Sequence, residues 1–328
     1  MSANNMEKVF VTRKIPWEGM EILNRLGKVE VNPLERPPGR EELGQGIRDA
    51  SALYCMLVDK VDRELLNEAS HLKIVANMAV GVDNIDVEAC TEKGIVVTNT
   101  PGVLTDATAD LTWALLMAVT RRVVEGDRFV REGKFNGWAP LLLVGGDLCG
   151  KTLGIIGMGR IGQAVARRAC GFGMKVVYYK RERLSEEKEN ELEATYLSLD
   201  DVIREADFLS LHLPFYPEVH HLLNRERLSM MKPGAYLINT ARGAHVDEKA
   251  LVEFLSQGRI AGAALDVYEN EPELTPGLAE LENVVLAPHT GSASTWTRRT
   301  MAEMCAGSIE KVLQREKPEH VVNPDVYR

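Results

Sequence analysis

An α/β protein built on two doubly wound parallel sheets is predicted by three features of this sequence. Short runs rich in Val, Ile, Leu and Ala alternate with helix-length segments along most of the chain, the pattern of right-handed β-α-β crossovers. One such unit, Lys151 to Arg183, has strands expected at 151–156 and 174–179, and carries Gly157-Met-Gly-Arg-Ile-Gly162 between the first strand and a helix. The chain has 328 residues, enough to bury two separate cores.

Taken in order, residues 8–12, 29–32, 52–56, 74–77 and 95–97 are predicted strands. Helices are expected between them at 17–26, 40–49, 63–68 and 87–93. Arg36-Pro-Pro-Gly39 reads as a turn, and the acidic pair beside it as a solvated helix face. The segment 78–86 follows a strand and contains Val80 and Gly81. Its turn amides suit a small anion such as a carboxylate, or the segment is an ordinary strand-to-helix turn capped by Asp83 or Asn84. Asn99-Thr-Pro-Gly102 reads as a crossing between domains. One long helix is expected from Thr105 to about Arg131, with Leu111, Leu115, Ala118 and Val119 as its apolar stripe. Residues 133–143, with Trp138 and Pro140, read as a packed surface loop, or as a subunit contact if exposed. Residues 185–193 are a charge run expected to be a solvated connection.

Composition excludes several classes. Hydrophobic residues are 45% and charged residues 27% of the chain, as in soluble globular domains. The net charge of -9 argues against non-specific binding of nucleic acid or anionic membrane. No apolar run reaches the ~18 residues of a membrane span. The five cysteines are scattered without a C-x-x-C pair, so neither a disulfide framework nor a metal is expected, and buried reduced thiols in a cytoplasm fit best.

The glycine spacing has a physical reason. Gly157 permits the tight turn off its strand, Gly159 lets a phosphate approach the backbone, and Gly162 lets the helix pack close. The N–H groups near Arg160 and Ile161 would then face a pyrophosphate at the positive end of the helix. An acidic residue at the end of the next strand would select NAD through its ribose hydroxyl. Here the chain reads Lys180-Arg-Glu-Arg183. Guanidinium groups bind phosphate with paired, charge-assisted hydrogen bonds. The expectation is therefore preference for NADP(H), with NAD(H) possible, and with Lys180, Arg181 and Arg183 near the 2′-phosphate.

Further strands are expected at 207–211, 235–239, 260–265 and 284–287. They end in His212-Leu-Pro214, Thr240-Ala-Arg-Gly243, Asp266 and Pro288-His289. Ligands of open parallel sheets bind beyond the carboxyl ends of strands, so Arg242, Asp266, Glu271 and His289 are expected beside a cofactor.

These residues sit in motifs that resemble those of a known family, the D-isomer-specific 2-hydroxyacid dehydrogenases. The motifs are Asn239-Thr-Ala-Arg-Gly243, Ala264-Leu-Asp-Val-Tyr-Glu-Asn-Glu-Pro272, Ala287-Pro-His-Thr-Gly291 and Asn99-Thr-Pro-Gly-Val-Leu-Thr105. The resemblance covers nearly the whole chain. Within the family it is similar to the glyoxylate/hydroxypyruvate reductases, through Gly137-Trp-Ala-Pro140 and the basic residues after Tyr179.

The resemblance implies a Rossmann nucleotide domain, residues 101–289, inserted into a flavodoxin-like substrate domain, residues 1–100, to which residues 290–328 return. It implies Arg242, Glu271 and His289 as the catalytic residues. His289 would give a proton to the keto oxygen, Glu271 would orient the ring and favour its protonated form, and Arg242 would hold the substrate carboxylate. Val80, Gly81 and Trp138 would add substrate contacts. Thr105, Leu213, Pro214, Thr240, Asp266 and Gly291 would add cofactor contacts. The implied substrate is a small 2-keto or 2-hydroxy acid, and the implied assembly a homodimer. Phosphoglycerate or phosphite dehydrogenase activity, or a dinucleotide-sensing corepressor without turnover, are the alternatives.

Overall fold

Alternate residues of the central strands enter different apolar clusters, which is why helices cover both faces of each sheet. The computed structural model describes residues 7–328, and these divide into two compact units. One comprises the chain up to Leu104 together with Ala293–Arg328, the other Thr105–Ser292.

The first unit holds β1 (Lys8–Val11), β2 (Lys28–Val31), β3 (Ala52–Cys55), β4 (Ile74–Asn77) and β5 (Val96–Thr98). They pair in parallel in the order β2-β1-β3-β4-β5, the flavodoxin-like order. Phe10, Leu53 and Val75 pack on one face with Leu43, Ile47, Leu65 and Ala89. Val9, Val11, Tyr54 and Ile74 pack on the other with Met301, Ala302, Cys305 and Ile309. Those last four belong to the helix Thr295–Leu313, so the end of the chain completes the first unit. Gly19 packs closely there: a Cβ on it would lie 3.0 Å from the Cβ of Ala302.

The second unit holds β6 (Thr152–Ile156), β7 (Lys175–Tyr179), β8 (Ala194–Tyr196), β9 (Phe208–Leu211), β10 (Tyr236–Asn239), β11 (Gly262–Leu265) and β12 (Val284–Leu286). All are parallel, in the order β12-β11-β10-β9-β6-β7-β8. The strand order reverses between β6 and β9, which places the switch point at the end of β6. Register aligns the carboxyl ends: Ile156 pairs with Tyr179 and Leu211, Asn239 with Leu211 and Leu265, and Leu265 with Leu286. The residues after these ends therefore start from one level.

Four expectations are corrected. The helix from Thr105 stops at Thr120, and a second runs Val123–Arg131. Arg122 between them is left-handed, at φ 52°, which ends the first helix. The charge run 185–193 is no solvated connection but the helix Glu186–Leu192, capped by Ser185 and burying Glu189 and Leu192. Asp86, and neither Asp83 nor Asn84, caps the helix Val87–Glu92 through the N–H of Ala89. Only Cys55, Cys90 and Cys305 are buried, whereas Cys149 and Cys170 are exposed. No helix among the described residues is long and apolar enough to cross a membrane.

Candidate active site

The glycine turn has the geometry a pyrophosphate requires. Gly157 has φ 98°, and a Cβ on it would lie 2.5 Å from the backbone of His212. A Cβ on Gly162 would lie 2.2 Å from the Gly157 carbonyl oxygen, so only glycine lets the helix Arg160–Ala169 start this close. A Cβ on Gly159, in contrast, meets nothing within 4 Å. The backbone there is open to a ligand, and no side chain caps the helix. The residues thus fit a dinucleotide phosphate, with Gly159, Arg160 and Ile161 at the place it would occupy.

Beyond β7, the guanidinium of Arg181 lies 5.1 Å from the ring centre of Tyr216, in the segment after β9. Lys180 is half-buried beside it. Arg183 is committed elsewhere. Its Nε and Nη2 donate to the two oxygens of Glu189 at 2.9 and 2.7 Å, and Tyr178 donates to the same carboxylate at 2.6 Å. These bonds, that from Arg183 foremost, hold Glu189 down to about 2. Arg183 thereby anchors the helix Glu186–Leu192.

At the end of β10, the Asn239 side chain builds the turn. Its Oδ1 accepts the Ala241 N–H at 3.0 Å and its Nδ2 donates to the Arg242 carbonyl at 2.8 Å. Arg242 is half-buried, and its Nη1 donates to the Ala241 carbonyl. Gly243 lets the segment after β11 pass: a Cβ there would lie 1.8 Å from the Tyr268 carbonyl carbon. Thr240 Oγ1 is 2.9 Å from Thr112 Oγ1, and Thr108 Oγ1 donates to the Gly291 carbonyl at 3.1 Å. The helix Thr105–Thr120 is thereby tied to both turns.

The two turns at the ends of β11 and β12 meet. His289 Nδ1 lies 2.8 Å from Glu271 Oε2, with the side chains 24% and 25% exposed. Glu271 Oε1 accepts the Tyr268 N–H at 3.0 Å. Burial raises the Glu271 carboxyl, but the hydrogen bonds from His289 and Tyr268 and the charges of His289 and Arg242 outweigh it and hold the group below its ordinary value. An ionised Glu271 accepts only, so Nδ1–H donates and Nε2 is left for a substrate oxygen. Asp266 is 1% exposed. Its Oδ1 accepts the Thr290 N–H and its Oδ2 the Gly291 N–H, each at 2.7 Å. Burial raises this carboxyl, and these bonds and the His289 charge oppose it.

The model for the D-isomer specific 2-hydroxyacid dehydrogenase NAD-binding domain matches residues 113–291. Glyoxylate reductase of Thermococcus litoralis is 50% identical over 323 residues, 97% of each chain. The chain belongs to the D-isomer-specific 2-hydroxyacid dehydrogenases. A solved structure of a Thermus thermophilus protein matches with TM-score 0.90 and 49% identity, over 96% of this chain and 99% of that one. The NADPH-dependent glyoxylate/hydroxypyruvate reductase of Sinorhizobium meliloti, solved with NADP and malonate, matches with TM-score 0.85 and 33% identity, over 98% of both chains. As a family member, the chain is an NAD(P)H-dependent oxidoreductase of 2-hydroxy acids.

Two further expectations meet the structure in other ways. In the first unit, the carbonyls of Val80 and Gly81 are pinned by Asn99 Nδ2 at 2.8 Å and Asn77 Nδ2 at 3.0 Å, which fixes the peptides around them. Trp138 is 85% exposed, on a stretch with Phe135, Leu141 and Val144 also exposed, so the packed surface loop is corrected. The sequence reading missed Glu248, 1% exposed, whose oxygens accept the Glu269 N–H at 2.9 Å and the Thr275 hydroxyl at 2.6 Å. It clamps the loop that carries Glu271. A buried carboxylate in an ordinary first helical turn gives no signal in sequence.

Proposed function

We propose that this protein reduces glyoxylate and hydroxypyruvate, to glycolate and D-glycerate, with NADPH preferred over NADH. The observation that carries the reading is the 2.8 Å bond between His289 Nδ1 and Glu271 Oε2, with the Arg242 charge felt at Glu271, on the sheet edge that holds the glycine turn. The dinucleotide, when bound, supplies the hydride. His289 Nε2 gives its proton to the keto oxygen, and Glu271 holds the ring in the donating orientation. Arg242 binds the substrate carboxylate and offsets negative charge growing on the oxygen. Val80 and Gly81 are the proposed amide donors to that carboxylate. Thr105, Leu213, Pro214, Thr240, Asp266 and Gly291 are the proposed cofactor contacts beside the glycine turn, with Lys180 and Arg181 at the 2′-phosphate.

The substrate choice is supported by relatives that carry the name glyoxylate reductase. The reading also includes a homodimer in a reducing, cytoplasmic compartment. The helix Val123–Arg131 buries no residue, and Val123, Val130, Phe135, Trp138, Leu141 and Val144 are exposed, an apolar stretch that suits a second copy. A groove of about 750 Å³ beside that helix holds none of the proposed site residues, which suits the same use. Trp138 is assigned there before it is assigned to substrate.

The test is a panel of glyoxylate, hydroxypyruvate, phosphohydroxypyruvate and phosphite, each with both cofactors and followed at 340 nm. Highest kcat/KM for the first two with NADPH is expected. Faster turnover of phosphohydroxypyruvate or phosphite, or a tenfold preference for NADH, would overturn the assignment.

A further inference from the structure

Away from the glycine turn, two adjacent histidines and a glutamate converge on the second unit. We propose that His220, His221 and Glu269 form a binding site for a divalent transition-metal ion of the Zn²⁺ type. The ligand-capable atoms of all three lie within 4.8 Å of one another. His221 Nε2 is 2.6 Å from Glu269 Oε1, and the His220 and His221 rings stack with centroids 4.0 Å apart at 23°. Two imidazoles and one carboxylate are the donor set of zinc and its neighbours, three protein ligands with a fourth position for water. Calcium and magnesium prefer all-oxygen sets.

The surroundings hold these ligands in place, as second-layer contacts do at metal sites. His221 is left-handed, at φ 49°, a conformation that a residue with a Cβ adopts only with support from its surroundings. Its N–H donates to the Ala244 carbonyl at 2.8 Å, and the Leu223 N–H to the His245 carbonyl at 2.9 Å. Phe215 meets the His220 ring edge-on at 6.4 Å. On the other side, the buried Glu248 fixes the Glu269 N–H. The His221 and Glu269 side chains are 33% and 19% exposed, and His220 is exposed, so an ion has a path in from solvent. Binding replaces the direct His221–Glu269 hydrogen bond by two metal bonds and adds His220 as a third. It ties the turn at His220 to the loop that carries Glu271, two residues after Glu269.

Titration of the chelator-treated full-length protein with Zn²⁺, by calorimetry, and with Co²⁺, by visible absorbance, tests the site. One equivalent is expected to bind, with a rise in Tm because the ion binds the folded chain. His220→Ala removes an exposed ligand outside the His221–Glu269 bond, so turnover should stay as in the parent while Zn²⁺ affinity falls at least tenfold. Glu269→Gln should lower affinity likewise. Absence of stoichiometric binding in the parent overturns the proposal. So does parent-like affinity in His220→Ala, or a thiolate charge-transfer band in the Co²⁺ spectrum, which would place the ion on Cys149 or Cys170.

Discussion

Asp266 holds His289 through the backbone on both sides of the turn. The Asp266 carbonyl accepts the His289 N–H at 2.9 Å, and its carboxylate accepts the next two N–H groups. His289 sits at φ 53°, a left-handed conformation that needs such support. Asp266→Ala leaves two N–H groups without acceptors, at about 1–3 kcal/mol each. The expected outcome is a lower Tm together with a fall in kcat/KM of on the order of 10²-fold or more. Asp266→Asn, whose amide offers one oxygen in place of two, should fall between the parent and the alanine variant on both measures. Steady-state kinetics and thermal melts check this. An alanine variant with parent turnover would show that the turn stands without Asp266.

Removing the acid or the clamp has a different signature. His289→Ala and Arg242→Ala should each lower kcat/KM by ~10²–10⁴-fold, with NADPH affinity, read by fluorescence titration, within about twofold of the parent. Arg242→Lys keeps the charge but loses the planar fork, so it should recover little. Full recovery by lysine would mean that Arg242 acts as a point charge.

The strands and the motifs at their carboxyl ends were readable because their signals are local. Buried parallel strands are continuous apolar runs, and every strand but β8 ends within about one residue of its predicted carboxyl end, including β6, β9, β10 and β11, where the site begins. What escaped depends on contacts between distant residues. Glu189 lies in a run of charges that reads as solvated, yet Tyr178 and Arg183 bury it. The three-residue β8 is too short to carry a periodicity. Arg122 breaks a helix whose apolar spacing continues on either side. Nothing in sequence shows that Arg183 pairs with Glu189, six residues on.

That pairing yields a separable pair of variants. Arg181→Ala should lower the ratio of kcat/KM for NADPH over NADH by about tenfold, through loss of a charge-assisted bond to the phosphate. Arg183→Ala should leave the ratio within about twofold while lowering Tm, because Glu189 loses its bidentate partner. The reverse assignment of effects would return the phosphate to Arg183.

His212 gives the fold a pH dependence of known sign. Its Nε2 is 2.8 Å from Ser210 Oγ, and Nδ1 is buried without a protein hydrogen-bond partner among the described residues. Burial pushes the imidazole down to about 3, while an unfolded histidine titrates near ~6.5. Between these values the unfolded chain takes up a proton that the folded chain refuses, so stability rises with pH across the window. The contribution is fully present above about 6.5 and is lost progressively as pH falls towards the folded value. Since other carboxylates titrate in the same range, the informative quantity is a difference. Urea unfolding of the parent and of His212→Asn at pH steps below neutrality should show the parent losing ground to the variant as the solution is acidified. A difference that stays constant would mean that His212 accepts a proton in the folded chain as readily as in the unfolded one.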